Sequence, residues 1–475
     1  MDVGIVFLVS ALMKLLTINS KLYFSTDFEV HRNWLSITQS VPFSEWYIEA
    51  RNKWTLDYPP FFAYFEYILG LIGRHVDPRI TDVNAIDYAA LSAITFQRLS
   101  VIFISDAILA FSINKIVSSK NRVPALLLTL FTSTLFIVDH IHFQYNGMLL
   151  GLLLLSIGLV EEGKFYWGAI SYMILVFFKH IYLFAAPVYF VYFLRHFIFS
   201  AASRRVALQR FLGLVSILFS VSVVALGPII ASGQWTAMMT RLFPFGRGLV
   251  HSYWAPNFWA LYVASDRLLG SFLRISGGAS PTAGLVGEIS LVVLPNITPM
   301  ICAILTIVGY LILLWYPRRL SFGTLVGLGN AVAFYFGWHV HEKALLMVTF
   351  PLVLSALADG RQSSVSRDTV WRMTALCCAS VLPLLPRGQE TPLKWAIAAA
   401  GLALDSFVLG TSVSFKWIFC VFGSEIYRVF LHEYIFGPNG MPFLPLLLTS
   451  VSNSLALFWC LGMCLRPKTS KSKRA

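Results

Sequence analysis

The chain has 475 residues, of which 57% are hydrophobic and only 12% are charged, whereas charged residues make up about 25% of an ordinary soluble domain. This composition excludes a water-soluble globular fold. The formal net charge of +13 could indicate a nucleic-acid-binding protein. The lysines and arginines, however, fall between apolar stretches and in the C-terminal tail, which suits membrane topology better, so no nucleic acid is expected as a partner.

Apolar stretches of about 20 residues, enough to cross a hydrocarbon core about 30 Å thick, recur along the chain. They predict an all-α integral membrane protein, a polytopic helical bundle of about 14 transmembrane helices. No internal repeat or soluble domain is evident, so residues 1–475 are predicted to form a single transmembrane domain. The predicted spans begin near residues 3, 91, 123, 146, 165, 181, 207, 286, 320, 343, 370, 395, 415 and 443.

The C-terminal residues 466–475 form a basic tail, and its Lys471 and Lys473 have the spacing of a dilysine retrieval signal of the endoplasmic reticulum. A basic anchor against anionic lipid headgroups is the alternative. Both interpretations place the C-terminus in the cytosol. The short basic connections then lie on the cytosolic side, as the positive-inside rule prefers, and the polar clusters described next lie on the lumenal side.

Residues 19–90 are predicted to form a long lumenal first loop with helices at the membrane interface. The sequence from Thr26 to Glu29 is typical of a capping box, and it opens a helix with apolar residues at helical spacing until Pro42 stops it. A second short helix is expected from Ser44. The stretch Leu56–Pro60 is expected to be extended, because proline disfavours helical geometry in the preceding residue.

Two acids of this loop, Asp27 and Asp57, are candidates for glycosyl-transfer chemistry. Such chemistry needs a carboxylate that accepts the proton of an attacking sugar hydroxyl, and Asp27 suits that role. Alternatively, Asp27 stabilises the positive end of the helix dipole and Asp57 braces the Pro-Pro turn. Glu29 is included as a candidate substrate-binding residue.

A run of polar residues from Asp139 to Asn146 lies between two apolar spans, where polar side chains are costly without a function. In an extended chain His142, Gln144 and Asn146 would share one side and could bind sugar hydroxyls. The alternative is a capped turn with satisfied polar groups.

Cations at the lumenal ends of spans are suited to a lipid phosphate. Lys179, Arg241 and Arg247 could bind phosphate oxygens and stabilise a leaving group; ordinary snorkelling cations are the alternative.

The sequence His339-Val-His341-Glu-Lys343 could be a metal site by composition, but His-x-His alone is a weak signal. The two histidines and the lysine fit a phosphate better. No Asp-x-Asp pair occurs, although Asp27-x-Glu29 could be a variant of one. No metal and no cofactor are expected.

Five motifs carry a family resemblance, and they occur in order between residues 24 and 345. They begin at Thr26, Trp54, Asp139, Arg241 (with a continuation at Ala255) and His339. Together they resemble the dolichyl-phosphate-glucose-dependent α-1,3-glucosyltransferases of the asparagine-linked glycosylation pathway.

The resemblance implies a GT-C-type fold in the endoplasmic reticulum membrane, lumenal chemistry, inversion at the anomeric carbon and no metal requirement. It also implies that Asp27 is the catalytic base. The implied substrates are dolichyl phosphate glucose and a dolichyl-pyrophosphate-linked oligosaccharide. The motifs look closer to the second of two sister enzymes, which acts on the monoglucosylated glycan. The first sister, which acts on Man9GlcNAc2-PP-dolichol, is the alternative, and a polytopic lipid or solute transporter is an alternative of another class.

Overall fold

A computed structural model describes residues 2–18, 25–250, 255–275, 291–315, 320–358, 365–385, 391–438 and 440–465, excluding the side chain of Arg247. Within these ranges the chain is helical or irregular, without a strand, and the predicted all-α class is confirmed. The basic tail at 466–475, with its candidate retrieval signal, lies outside the described residues. The chain groups into two compact units, Met1–Phe245 with Gly388–Lys394, and Gly246–Arg387 with Trp395–Ala475.

The first unit contains the N-terminal helices. They are α1 (Val3–Ile18), α2 (Thr26–Ser40), α3 (Pro60–Val76), α4 (Leu91–Ile116), α5 (Ser119–Leu130), α6 (Ser133–Ile141), α7 (Asn146–Glu161), α8 (Phe165–Phe178), α9 (His180–Ile198), α10 (Arg204–Ala231) and α11 (Trp235–Leu242).

The second unit contains the remaining helices, including α17 from Trp395 onward. They are α12 (Phe258–Phe272), α13 (Pro299–Trp315), α14 (Phe322–Phe336), α15 (Leu346–Leu357), α16 (Arg367–Val381), α17 (Thr391–Leu409), α18 (Phe415–Ile426), α19 (His432–Phe436) and α20 (Leu444–Cys464).

The apolar helices confirm a multi-pass membrane protein. In the described part of the chain, α4, α9, α10, α17 and α20 are long and apolar enough to cross a bilayer, and α5 with α6 forms a sixth candidate that is bent by 40°. Shorter apolar helices add α1, α7, α8, α13 and α14. The count of about 14 spans stays a prediction. The start predicted near residue 286 lies outside the described residues; residues 291–298 are irregular, and the helix that follows them begins at Pro299.

The first loop differs from its prediction in four ways. The capping box is wrong, since the N-cap of α2 is Ser25 without a side-chain cap bond and Glu29 binds Arg32 instead. The expected position at the membrane interface is not what α2 shows, because Arg32 and His31 are buried within the protein together with the apolar residues of the helix. Polar partners inside the unit satisfy these side chains. Helix α3 was not predicted, and the short helix expected from Ser44 is a single 3-10 turn at Phe43–Glu45.

Charged side chains join α1 to α4 and α6 inside the first unit. Lys14 Nζ lies 2.7 Å from Asp106 Oδ2, and His140 Nε2 lies 3.2 Å from the same oxygen. All three residues are buried. A buried charge is tolerated where it is paired, so this cluster fixes α1 against the helices that carry the polar run at 139–146.

Helix α7 packs closely on α4 through glycines. A Cβ atom at Gly151 would lie 2.9 Å from the Cα atom of Leu109, and one at Gly147 would lie 2.9 Å from Ser105 Oγ. Glycines four residues apart let two membrane helices approach to backbone contact. The N-terminus of α7 is thereby held against the middle of α4, where the backbone forms a π turn at Val101–Asp106.

Candidate active site

Asp27 lies in the first turn of α2, with its side chain 23% exposed. Its Oδ2 atom accepts a hydrogen bond from Gln144 Nε2 and lies 3.2 Å from His142 Nε2. Both partners come from the turn between α6 and α7. A partly exposed carboxylate is therefore held at one oxygen by two side chains that the sequence also singled out.

The segment that supplies these partners is a turn with paired polar side chains, which was the alternative to an extended chain. Helix α6 ends at Ile141, and Phe143 has a φ of +84°, in the left-handed region that non-glycine residues rarely adopt. The carbonyl of His142 accepts a hydrogen bond from Ser25 Oγ, which joins the turn to the N-terminus of α2. The predicted side-chain grouping is present, but a tight turn produces it.

Asn146 connects this turn to a second carboxylate. Its Nδ2 atom donates to Gln144 Oε1 at 2.8 Å and to Asp139 Oδ1 at 2.8 Å. The backbone N–H of Gly147 donates to Asp139 Oδ2, also at 2.8 Å. Asp139 is fully buried. Asp139 was not among the candidate site residues, although it opens the polar run. The signal that could have identified it is its spacing, seven residues before the amide of Asn146 at the start of α7.

Glu29 has structural partners. Arg32 donates two hydrogen bonds to its carboxylate, Nε to Oε2 at 2.6 Å and Nη2 to Oε1 at 2.7 Å, and Asn52 Nδ2 donates to Oε1 at 3.0 Å. The carboxylate thus holds α2 to the chain segment that precedes Trp54. Its role in substrate binding stays a prediction.

Lys179 lies beside the segment of Asp57. Its Nζ atom is 4.9 Å from the centroid of the Tyr58 ring, a cation–π distance. Burial raises the pKa of Tyr58 well above its usual value, and the negative charges of Asp57 and Asp27 raise it further. Tyr58 therefore lies within electrostatic reach of the candidate base while its ring contacts a candidate phosphate-binding cation.

Arg241, in α11, contacts the same first loop. Its Nη2 atom donates to the carbonyl oxygens of Ile48 and Glu49, at 2.9 Å each. Burial lowers the pKa of Arg241, while the nearby charges of Asp57 and Glu49 act in the opposite direction. Nη1 is buried and has no hydrogen-bond partner among the described residues. One edge of the guanidinium braces the loop, and the other keeps a donor available.

The remaining candidates belong to the second unit, where the motif at His339 meets the end of the Arg241 motif and its continuation at Ala255. His339, with a φ of +53°, places Nδ1 3.0 Å from the carbonyl oxygen of Gly248, and its backbone N–H donates to Leu249. Trp259 Nε1 donates to the carbonyl oxygen of Gly337 at 3.0 Å.

His341 and Lys343 lie close in sequence to His339 and belong to the same motif. The ring of His341 lies 5.8 Å from that of His339, and Lys343 lies in a 3-10 turn at Glu342–Leu345. The side chain of Arg247 lies outside the described residues. Among the described residues, no group of three or more His, Cys, Asp or Glu could hold a metal ion. Roles for Arg247, His339, His341 and Lys343 stay predictions.

A multi-pass helical membrane protein with a partly exposed carboxylate held at the start of a helix has the arrangement that a membrane-embedded transferase requires. Comparison with known families narrows this class. The profile of the ALG6, ALG8 glycosyltransferase family matches residues 9–464, and the chain belongs to that family.

Named relatives cover nearly the whole chain. A protein of Arabidopsis thaliana called dolichyl pyrophosphate Glc1Man9GlcNAc2 alpha-1,3-glucosyltransferase is 40% identical over 95% of this chain and 95% of its own length. A protein of the same name from Schizosaccharomyces pombe is 41% identical over 92% of this chain and 92% of its own length. Another from Bos taurus is 37% identical over 95% of this chain and 94% of its own length. The predicted family resemblance is confirmed.

Proposed function

We propose that this chain transfers glucose from dolichyl phosphate β-glucose to the monoglucosylated dolichyl-pyrophosphate-linked oligosaccharide, forming an α-1,3 bond with inversion. Family membership and the names of the relatives support the reaction. The observation that carries the residue assignment is the carboxylate of Asp27, partly exposed and held by Gln144 and His142.

In the proposed reaction, Asp27 accepts the proton of an acceptor hydroxyl while that oxygen attacks the anomeric carbon of glucose. A new bond forms between the acceptor oxygen and this carbon, and the bond from the carbon to the phosphate oxygen breaks. Its electron pair leaves with dolichyl phosphate. Attack from the face opposite the phosphate converts the β linkage into an α linkage. A base must be ionised to act, and the hydrogen bond from Gln144 favours the ionised form.

The leaving phosphate gains negative charge and needs cations. Lys179 and Arg241 are the candidates in the first unit, and each lies within electrostatic reach of the Asp57 segment. Lysine binds phosphate as a point charge, whereas arginine offers a planar set of donors. Arg241 Nη1 has no hydrogen-bond partner among the described residues. Its N–H groups can therefore donate to a phosphate oxygen.

The reaction needs no metal in this scheme, because the donor carries a lipid phosphate and the protein supplies cations. We place the protein in the endoplasmic reticulum membrane, with Asp27 on the lumenal side and the C-terminus in the cytosol. The basic connections and the basic tail support this orientation.

The first sister enzyme, which acts on the unglucosylated glycan, is the second candidate. The names of the relatives favour the monoglucosylated acceptor, while the described contacts at Asp27 suit any sugar hydroxyl. The choice between the two acceptors therefore depends on the relatives rather than on the geometry.

Purified protein supplied with dolichyl phosphate glucose and either acceptor tests the proposal. We expect turnover with the monoglucosylated glycan, unchanged by EDTA, and a loss of about a hundredfold or more in Asp27→Asn, which removes the base. Turnover only with the unglucosylated glycan would assign the chain to the first reaction. Near-normal rates in Asp27→Asn would remove this residue as the base.

A further inference from the structure

The first unit contains a chain of hydrogen bonds that leads from the candidate base to a buried carboxylate. It runs from Asp27 to Gln144, then to Asn146, and ends at Asp139. Asp139 is fully buried, and both of its carboxylate oxygens already accept hydrogen bonds, from Asn146 and from Gly147, so we assign it no contact with a substrate.

Each hydrogen bond in this chain determines the direction of the next. An ionised carboxylate only accepts hydrogen bonds, and an amide has distinct donor and acceptor ends. Asp139 accepts one N–H of Asn146, and the second N–H of the same amide reaches Gln144 Oε1 at 2.8 Å. The oxygen of the Gln144 side chain is thereby directed toward Asn146, and its NH2 group is directed toward Asp27.

The opposite orientation of Gln144 would place its carbonyl oxygen against the carboxylate of Asp27. Two acceptors would then face each other, and the donor that favours the ionised base would be lost. A second contact fixes Asp139 itself, because its other oxygen accepts the N–H of Gly147 at 2.8 Å. The carboxylate is therefore anchored to the backbone at the start of α7.

We propose that Asp139 is a positioning residue for the transfer reaction, acting on Asp27 through the side chains of Asn146 and Gln144. This inference rests on the proposed function of Asp27 as the base. Asp139 sets the orientation of the Gln144 amide, and this amide holds the carboxylate of Asp27 in the position where it accepts the proton of the acceptor hydroxyl. The role is distinct from substrate binding, so its loss lowers kcat and leaves the KM of both substrates unchanged.

Full-length Asp139→Asn, assayed with dolichyl phosphate glucose and the monoglucosylated acceptor, is the first test. The amide that replaces the carboxylate has an NH2 group, which faces an N–H donor of either Asn146 or Gly147. Two donors then meet, and one of the two hydrogen bonds to residue 139 is lost. We expect kcat to fall by about tenfold to a hundredfold, as misplacement of a reacting group does, with both KM values unchanged. Asp405→Asn is the matched control, because Asp405 is also a buried aspartate on an apolar helix. We expect wild-type kcat for that variant.

A double-mutant cycle separates positioning from a general structural role. If Asp139 acts through Gln144, adding Asp139→Asn to Gln144→Ala produces no further loss in kcat, since coupled residues are not additive. Asn146→Ala should reproduce the phenotype, and it keeps the test open if Asp139→Asn does not fold. Size-exclusion chromatography and thermal unfolding show which variants are folded.

The outcomes that contradict the proposal are distinct. Additive losses in the cycle, a raised KM in Asn146→Ala, or equal activities of Asp139→Asn and Asp405→Asn would overturn the positioning role while wild-type turnover leaves the proposed function intact. Absence of wild-type turnover with either acceptor would overturn the proposed function, and this inference with it.

Discussion

At the residue scale, surroundings distinguish the acids of the first unit. Asp27 keeps a partly exposed carboxylate, Glu29 is engaged by Arg32 and Asn52, and Asp139 is buried. The sequence identified Asp27 and its neighbours by residue type and by position within motifs. It could not assign the pairings, because they depend on the left-handed backbone at Phe143, a conformation with no signal in the side chain of phenylalanine.

Lys179 offers a test of the phosphate-binding assignment. Lys179→Met should reduce kcat/KM for dolichyl phosphate glucose by about tenfold to a hundredfold, the scale of a lost hydrogen bond to a charged group. Steady-state kinetics over a range of donor concentrations measure the effect. The acceptor KM should remain unchanged.

A matched control is available in the first loop, which also contains Tyr58, the ring partner of Lys179. Lys53 Nζ lies 4.9 Å from the centroid of the Trp54 ring, the same distance as Lys179 from Tyr58, but Lys53 is exposed. Lys53→Met should retain wild-type kinetics. Equal kinetics for the two variants would assign Lys179 to ordinary cation–π packing.

At the element scale, the sequence predicted where apolar helices occur but missed α3 and the π turns. Helix α3 was hidden within a segment interpreted as a loop, since its apolar residues are interrupted by Glu66 and Arg74. The π turns at Val101–Asp106 and Phe136–Ile141 change the hydrogen-bond pattern of a helix without changing its apolar character. Hydropathy, which reports the apolar character of a window, contains no information on them.

The contact between α4 and α7 leads to a prediction about packing. Gly151→Val should destabilise the protein and reduce turnover, because even a Cβ at this position would lie 2.9 Å from the backbone of Leu109. Overpacking of this kind costs about 1–3 kcal/mol. The apparent melting temperature in detergent, measured beside kcat, reports both effects.

Gly163→Ala is a poor control for Gly151→Val. Gly163 has a φ of +79°, so any side chain there strains the backbone even where space is available. Gly462→Val is the better control, since nothing lies within 4 Å of a Cβ at that position of α20. We expect wild-type stability there. A Gly151→Val protein as stable as Gly462→Val would show that α4 and α7 can separate without cost.

At the scale of the whole molecule, composition and motifs were sufficient for the class and the family. Large apolar side chains remain exposed on several helices, among them Phe219 and Val224 of α10, as expected where lipid replaces water as the solvent. The grouping into two compact units was not predicted, because it depends on which helices pack together. Hydropathy identifies helices one at a time and does not report their neighbours.

Membrane orientation is a testable property of the whole chain. An N-glycosylation acceptor sequence inserted beside Asp87, an exposed residue of the first loop, should be modified in cells, because this loop is predicted to be lumenal. The same insertion beside exposed Lys120 should remain unmodified. Endoglycosidase-sensitive gel shifts measure both, and the reverse pattern would place Asp27 on the cytosolic side.

Helix α10 has 28 residues, which at about 1.5 Å per residue gives a length of about 42 Å. The hydrocarbon core of the endoplasmic reticulum bilayer is about 27 Å thick. Near one end Arg210 donates to the carbonyl oxygen of Phe197, and near the other the carbonyl oxygen of Ala225 accepts from Tyr64 of α3. These attachments oppose free tilting of the helix. The first two turns of α10 carry Arg204, Arg205 and Arg210, so this polar end projects into the headgroups and only the part from Phe211 onward spans the hydrocarbon. Its apolar length, about 32 Å at 1.5 Å per residue, then exceeds the hydrocarbon thickness by only a few Å, and the bond from Tyr64 ties α3 to the membrane-embedded part of α10.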